Sequence, residues 1–189
     1  MASTFPRFRV GHTGPIGTVV LGWDLDRGTR WVPPYQSAVA QVALTGPVTA
    51  PWHLGAGPVP APGTRVHLML QGHTRGLVGR GVVRSAPFRA GPTDRPGTLG
   101  THVLIEWDQL LPITDPIPCE RLAHQVPGVN WAGTYSDVLE VTDEVGEELD
   151  RLWSAPQPGA LHLPGWVGGH LDGVRTLAGH LSRVLTAHQ

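Results

Sequence analysis

Seven of the twelve aromatic residues in this chain are tryptophan, and all fourteen basic residues are arginine. The two side chains suit one kind of chemistry. An indole has a broad flat face and one N–H donor, so it serves a stacking pocket as well as a core. A guanidinium meets phosphate oxygens through paired N–H groups. Trp23 ends a β-rich run, and Trp52 lies in the longest Gly/Pro stretch. Both are candidate walls for a pocket that stacks a nucleobase; the competing reading makes each a cap on the core. Trp107 alternates with Val103 and Ile105 and is expected inside, as is Trp153. Asp24, His53, Gln71 and Asn130 are candidate polar readers of a base edge, with Trp131 beside them at the mouth. The amides of Gln71 and Asn130 have the donor and acceptor pair that a Watson–Crick edge needs, although turn or strand-end bonds would use them equally well. Arg75, Arg80, Arg84 and Arg89 are candidate phosphate contacts. Arg80 and Arg84 share parity with Val78 and Val82, which places them on one strand face, or on an ordinary solvated one.

Catalytic patterns are absent from the sequence. There is no GxSxG, no phosphate-binding loop and no GxGxxG. Ten histidines raise the question of a metal, yet none form a helical pair at i, i+4. Cys119 and His124 are five apart and would face different ways on a short helix. The expectation is therefore no metal, no cofactor and no catalytic residue. A lone cysteine also excludes a disulfide framework.

Several elements must position these residues. TVVLGWDL (18–25) predicts a first strand, and a helix is expected over 33–44, with Pro33 and Pro34 in its first turn. Residues 46–63 hold nine Gly or Pro among eighteen and read as a long loop with a short strand at most. In TRVHLMLQG, Val66, Leu68 and Leu70 face one way, and Arg65, His67, Met69 and Gln71 the other. HTR (73–75) then turns into a strand whose Gly79 and Gly81 suggest a bend or bulge. Residues 101–111 alternate again. Helices are expected at about 118–125 and 142–153. The latter is capped by Thr142 and carries a stripe of Val141, Val145, Leu149 and Leu152.

These elements give an α+β chain. The domains expected are a flexible leader (1–17), a barrel domain (18–153), a linker (154–165) and an amphipathic C-terminal helix (166–189). The 189 residues suffice for one hydrophobic core. Neither an apolar run of membrane length nor a signal peptide is present, which predicts a cytoplasmic protein with no membrane partner. The net charge of −1 rules out a globally basic binder, but it averages two opposites. Residues 65–95 hold six Arg and one Asp, a charge of +5; residues 136–151 hold seven acids and one Arg, a charge of −6.

The segment from Trp23 to Trp153 resembles the EVE-like domain of the PUA/YTH-type superfamily, which forms the N-terminal half of bacterial restriction endonucleases with an HNH nuclease half. The resemblance rests on an ordered set of pieces: Trp23, Trp31 with Tyr35, and Trp52 to Gly55. Then come Pro62 to Val66, RGLVGRGVVRS (75–85), VLIEWDQLL (103–111), PGVNW (127–131) and the closing acidic helix. It implies a small, partly open, PUA-like β-barrel with flanking helices. Such a barrel accepts one extruded base, such as methylated or hydroxymethylated cytosine in DNA, within an aromatic cage. The expected partner is DNA carrying modified bases, in a restriction or defence system. A nuclease subunit or a second copy would dock through the C-terminal helix. No HNH motif follows residue 154. The alternatives are a homologue with a degenerate nuclease part and a module that binds modified RNA.

Overall fold

The computed structural model describes residues 17–27, 31–55, 57–91, 99–133 and 137–155. The expected leader up to residue 16, the linker from 156 onward and the helix at 166–189 lie outside the described residues. Eight strands and three α-helices make an α+β unit. The strands are β1 (Thr18–Asp24), β2 (Val48–Leu54), β3 (Arg65–Gln71), β4 (Gly76–Val83), β5 (Phe88–Ala90), β6 (Gly100–Leu110), β7 (Ile117–Pro118) and β8 (Val138–Val141). The helices are α1 (Tyr35–Thr45), α2 (Cys119–Gln125) and α3 (Asp143–Ser154).

The sheet runs β2–β6–β4–β3–β1–β8, with β5 beside β6 and β7 beside β4. β1 and β3 are parallel, and every other pair is antiparallel. Among the described residues no ladder joins β2 to β8, so the sheet is not closed; a partly open barrel was expected. Two bulges bend it. Leu68 pairs with Gly79 and Met69 with Leu77, which leaves Val78 as the extra residue; Arg80 pairs with Gln109 and Gly81 with Trp107, which leaves Asp108. Gly81 has no room for a Cβ, which would collide with the Glu106 carbonyl. The bulges also break the strand parity read from the sequence. Val78 is buried in the core while Arg80 is partly exposed, and Arg84 lies beyond the end of β4.

Both faces of the sheet are buried. One core holds Val19, Leu21, Val66, Leu68, Leu70, Val103 and Ile105 under α1. The other holds Val20, Met69, Leu77, Leu122, Leu149 and Trp153 under α2 and α3. The alternation in β3 therefore separates two cores, and does not separate core from solvent. His67 sits in the second layer, fully buried, where its Nδ1 accepts from Trp153 Nε1 at 3.1 Å. Burial, followed by the nearby charges of Arg80 and Arg65, lowers its pKa to about 3.

The 46–63 segment departs furthest from expectation. It contains β2, a seven-residue strand paired along β6 from Val48↔Trp107 to Leu54↔Thr101. Pro51 is tolerated because β2 is an edge strand and needs no second ladder at that position. α1 begins at Tyr35 with Pro34 at its N-cap, so Pro33 stands outside the helix. α3 keeps the expected cap, with the Thr142 hydroxyl accepting from Val145 N.

Candidate functional site

β1, β2, β6 and α1 converge on a cluster of five aromatic rings. Trp23 ends β1, Trp52 lies in β2, Trp107 in β6, and Tyr35 opens α1. Trp31 joins them from the irregular chain before α1, and its ring meets all four others. Its centroid distances are 6.0 Å to Trp23, 4.8 Å to Tyr35, 6.0 Å to Trp52 and 5.3 Å to Trp107. Trp52 and Trp107 stand edge to face at 6.0 Å, and Trp23 and Tyr35 are tilted at 4.7 Å. The four indoles are at most 3% exposed. The Tyr35 hydroxyl reaches the Val78 carbonyl at 2.9 Å and the Leu111 carbonyl at 2.7 Å, which pins α1 to the sheet. Burial pushes its phenol far above the usual tyrosine range.

The polar balance of this cluster is unusual. Nε1 of Trp23, Trp31, Trp52 and Trp107 is buried with no hydrogen-bond partner among the described residues. The two buried indoles on the other face are satisfied: Trp131 donates to the Val126 carbonyl at 2.7 Å, and Trp153 to His67. An unmet buried donor costs about 1–3 kcal/mol. Four of them side by side, while the indoles of the second core are satisfied, mark a place with unused donor capacity among the described residues.

The residues singled out in the sequence do not form one site. Trp23 and Trp52 share the aromatic cluster. Asp24 and Gln71 pair in register at the ends of β1 and β3, one position beyond the Trp23↔Leu70 pair. The Asp24 carboxylate accepts from Asp26 N at 2.9 Å, a local turn bond. His53 is on the opposite face of β2 from Trp52, because burial alternates along the strand. There its ring lies 5.0 Å from His102, which stacks at 5.9 Å on the exposed Phe88. Trp131 is buried in the second core, across the sheet from the cluster, and Asn130 closes a turn by accepting from Gly133 N at 3.3 Å.

The arginines are partnered within the fold. Arg80 makes a two-pronged pair with Asp108, Nε–Oδ1 3.1 Å and Nη2–Oδ2 2.7 Å. That hydrogen-bonded pairing raises the Arg80 pKa further. Arg84 pairs with Glu106 at 2.7 Å. Arg89, exposed on β5, donates to Thr101 and to the Leu99 carbonyl. Arg75 donates to the Ala132 carbonyl, and Arg65 pairs with Asp150 of α3. The strand reading missed these acids because Glu106 and Asp108 belong to β6, far along the chain.

Trp31 carries no site signal in the sequence beyond its place in the resemblance, yet it stands at the centre of the cluster. The only local signal is its spacing of four from Tyr35, at a helix entry. Among the described residues no group of three or more His, Cys, Asp or Glu is arranged to hold a metal ion, and no helix is long and apolar enough to cross a membrane.

No family model matches the chain, and no curated protein matches it. Among solved structures it is similar to ASCH from Zymomonas mobilis, at 13% identity over 71% of this chain and 94% of that one, with a TM-score of 0.45. Two mutant forms of that protein align at 12% and 10% identity, each with a TM-score of 0.44, again over 71% of this chain.

Proposed function

We propose that this chain is a nucleic-acid-binding module that reads a modified base. The base favoured is cytosine carrying a methyl or hydroxymethyl group in DNA, extruded from the duplex into the Trp23–Trp31–Tyr35–Trp52–Trp107 cluster. The observation that carries the reading is the set of four buried indole N–H groups, without a partner among the described residues, in one nest of aromatic rings. Flat apolar walls suit a methylated ring, and N–H donors suit the carbonyl and ring nitrogens of a base. Stacking contributes about 1–3 kcal/mol per base, which is comparable with the few kcal/mol needed to unstack it.

In this reading Trp31 holds the place of the base. It is the one ring of the five outside a strand or helix, and it lies between the Trp23–Tyr35 and Trp52–Trp107 pairs. Entry of a base then exchanges one flat ring for another. The apparent affinity is reduced by the fraction of molecules in which Trp31 is already withdrawn. The fold assignment goes with this reading: a PUA-like, EVE-type reader acting in a restriction or defence system, with cleavage left to a separate nuclease part.

A competition assay tests the proposal with oligonucleotides of one sequence: DNA with 5-methylcytosine, unmodified DNA and methylated RNA. The expected result is tightest binding to the methylated DNA. Equal affinity for all three would refute base reading, and preference for the RNA would move the module to another substrate.

A further inference from the structure

The β3–β4 turn, β7 and the first turn of α2 enclose a cleft of about 540 Å³, separate from the aromatic cluster. We propose that it binds a phosphomonoester carried on an amino-bearing base, a ligand the size of one nucleotide. The proposal rests on the reading of this chain as a nucleic-acid module.

Size is the first argument, since small-molecule sites typically span roughly 300–1,000 Å³. Charge is the second. Arg75 and Arg121, with His73, face the same space as Asp115 and Glu120. The two guanidinium and two carboxylate charges cancel. A run of backbone phosphates is only negative, and it would meet two carboxylates at close range. A single nucleotide with an exocyclic amine has anionic oxygens at one end and N–H donors at the other, so it matches both pairs. Pro116 and Ile117 give the cleft an apolar side against which a flat ring can lie.

Rigidity is the third argument. Arg75 donates to the Ala132 carbonyl, and Arg121 Nε donates to Gln125 at 3.0 Å; these bonds, exposed as they are, favour one placement of each guanidinium. β7 is fixed against β4 through the Gly76↔Pro118 pairing. Gly76 is required there because a Cβ would collide with the Ile117 carbonyl. No ring of the cluster lines the cleft; the one link is Leu111, which lines it and whose carbonyl accepts from Tyr35. The same chemistry has two sources, a free nucleotide and the phosphorylated end of a strand.

Calorimetric titration of the full chain with CMP, cytidine, UMP and a short 5′-phosphorylated, C-initiated oligonucleotide tests this. CMP should bind about tenfold or more tighter than cytidine, which lacks the phosphate, and than UMP, which lacks the amine. Arg121→Gln should weaken CMP by about tenfold, and Glu120→Gln should erase the preference over UMP. An oligonucleotide that binds tighter than CMP, and loses the gain without its 5′-phosphate, identifies a strand end as the source. CMP binding no tighter than cytidine or UMP, or unchanged by Arg121→Gln, overturns the proposal. Trp52→Phe, which alters only the aromatic cluster, should leave CMP binding intact. If modified-base preference is missing while CMP binds as stated, base reading fails and the cleft stands.

Discussion

At the scale of single residues, the tryptophans divide by what their N–H groups do. Trp131 and Trp153 each have an acceptor, while Trp23, Trp31, Trp52 and Trp107 have none among the described residues. Alternation with Val103 and Ile105 placed Trp107 inside, as it lies. Nothing local could show that it shares a cluster with Trp23 and Trp52, because β1, β2 and β6 meet only in the folded sheet. Two substitutions separate a base site from a plain core. Trp52→Phe keeps a ring and removes one donor; it should weaken binding to methylated DNA by about tenfold while the melting temperature falls little. Trp31→Ala should destabilise the protein by about 3–5 kcal/mol, yet tighten binding, because it deletes the ring that competes with the base. In a plain core, neither change moves affinity. His67 supplies a different test. Its folded-state pKa, about 3, lies below the 6.5 of a free histidine. The unfolded chain therefore takes up the proton first, and stability drops as pH falls from about 6.5 towards 3. His67→Gln keeps an acceptor for Trp153 and does not titrate. Its melting temperature should depend less steeply on pH across that window, and an unchanged slope would show that other groups set it.

At the scale of elements, the sequence is a good guide wherever one strand or helix carries its own signal. α3 is an example: Thr142 caps it, acids fill its first turn, and Val145, Leu149 and Leu152 are buried on one side. Thr142→Ala should cost about 1 kcal/mol, measured by denaturant titration, and no loss would mean that the backbone is capped otherwise. β2 shows the opposite case. Its Val48, Ala50, Trp52 and Leu54 alternate cleanly, but the surrounding glycines and prolines masked a strand whose partner, β6, lies some fifty residues onward. The bulges were legible as glycines, but their effect was not. With extra residues at Val78 and at Asp108, Arg80 of β4 meets Asp108 of β6. Gly81→Ala tests that geometry. It forces the Glu106 carbonyl to move and should destabilise the fold by more than the roughly 1 kcal/mol typical of point substitutions. A neutral result would mean that the β4–β6 ladder yields easily there.

At the scale of the whole molecule, the near-neutral charge conceals a basic stretch and an acidic one, and the fold brings them together. Arg65 of the basic stretch pairs with Asp150 of the acidic helix, and Arg80 and Arg84 meet Asp108 and Glu106 on β6. Half of the six arginines of the basic stretch are thus paired with acids, at partly exposed positions. The α+β class and the strands β1, β3, β4 and β6 could be read from the chain, whereas β2, β7 and β8 could not. The strand order and the separation of the candidate residues onto two faces could not, because both depend on which strands become neighbours. The aromatic cluster remains the feature that a base reader needs, and its indole N–H groups report on it directly. Titrating ¹⁵N-labelled protein with a 5-methylcytosine oligonucleotide and following the indole resonances is the most direct test. The indoles of Trp23, Trp31, Trp52 and Trp107 should shift strongly while those of Trp131 and Trp153 stay in place. If those four stay unmoved while the oligonucleotide binds, the base does not enter the cluster and the account is wrong.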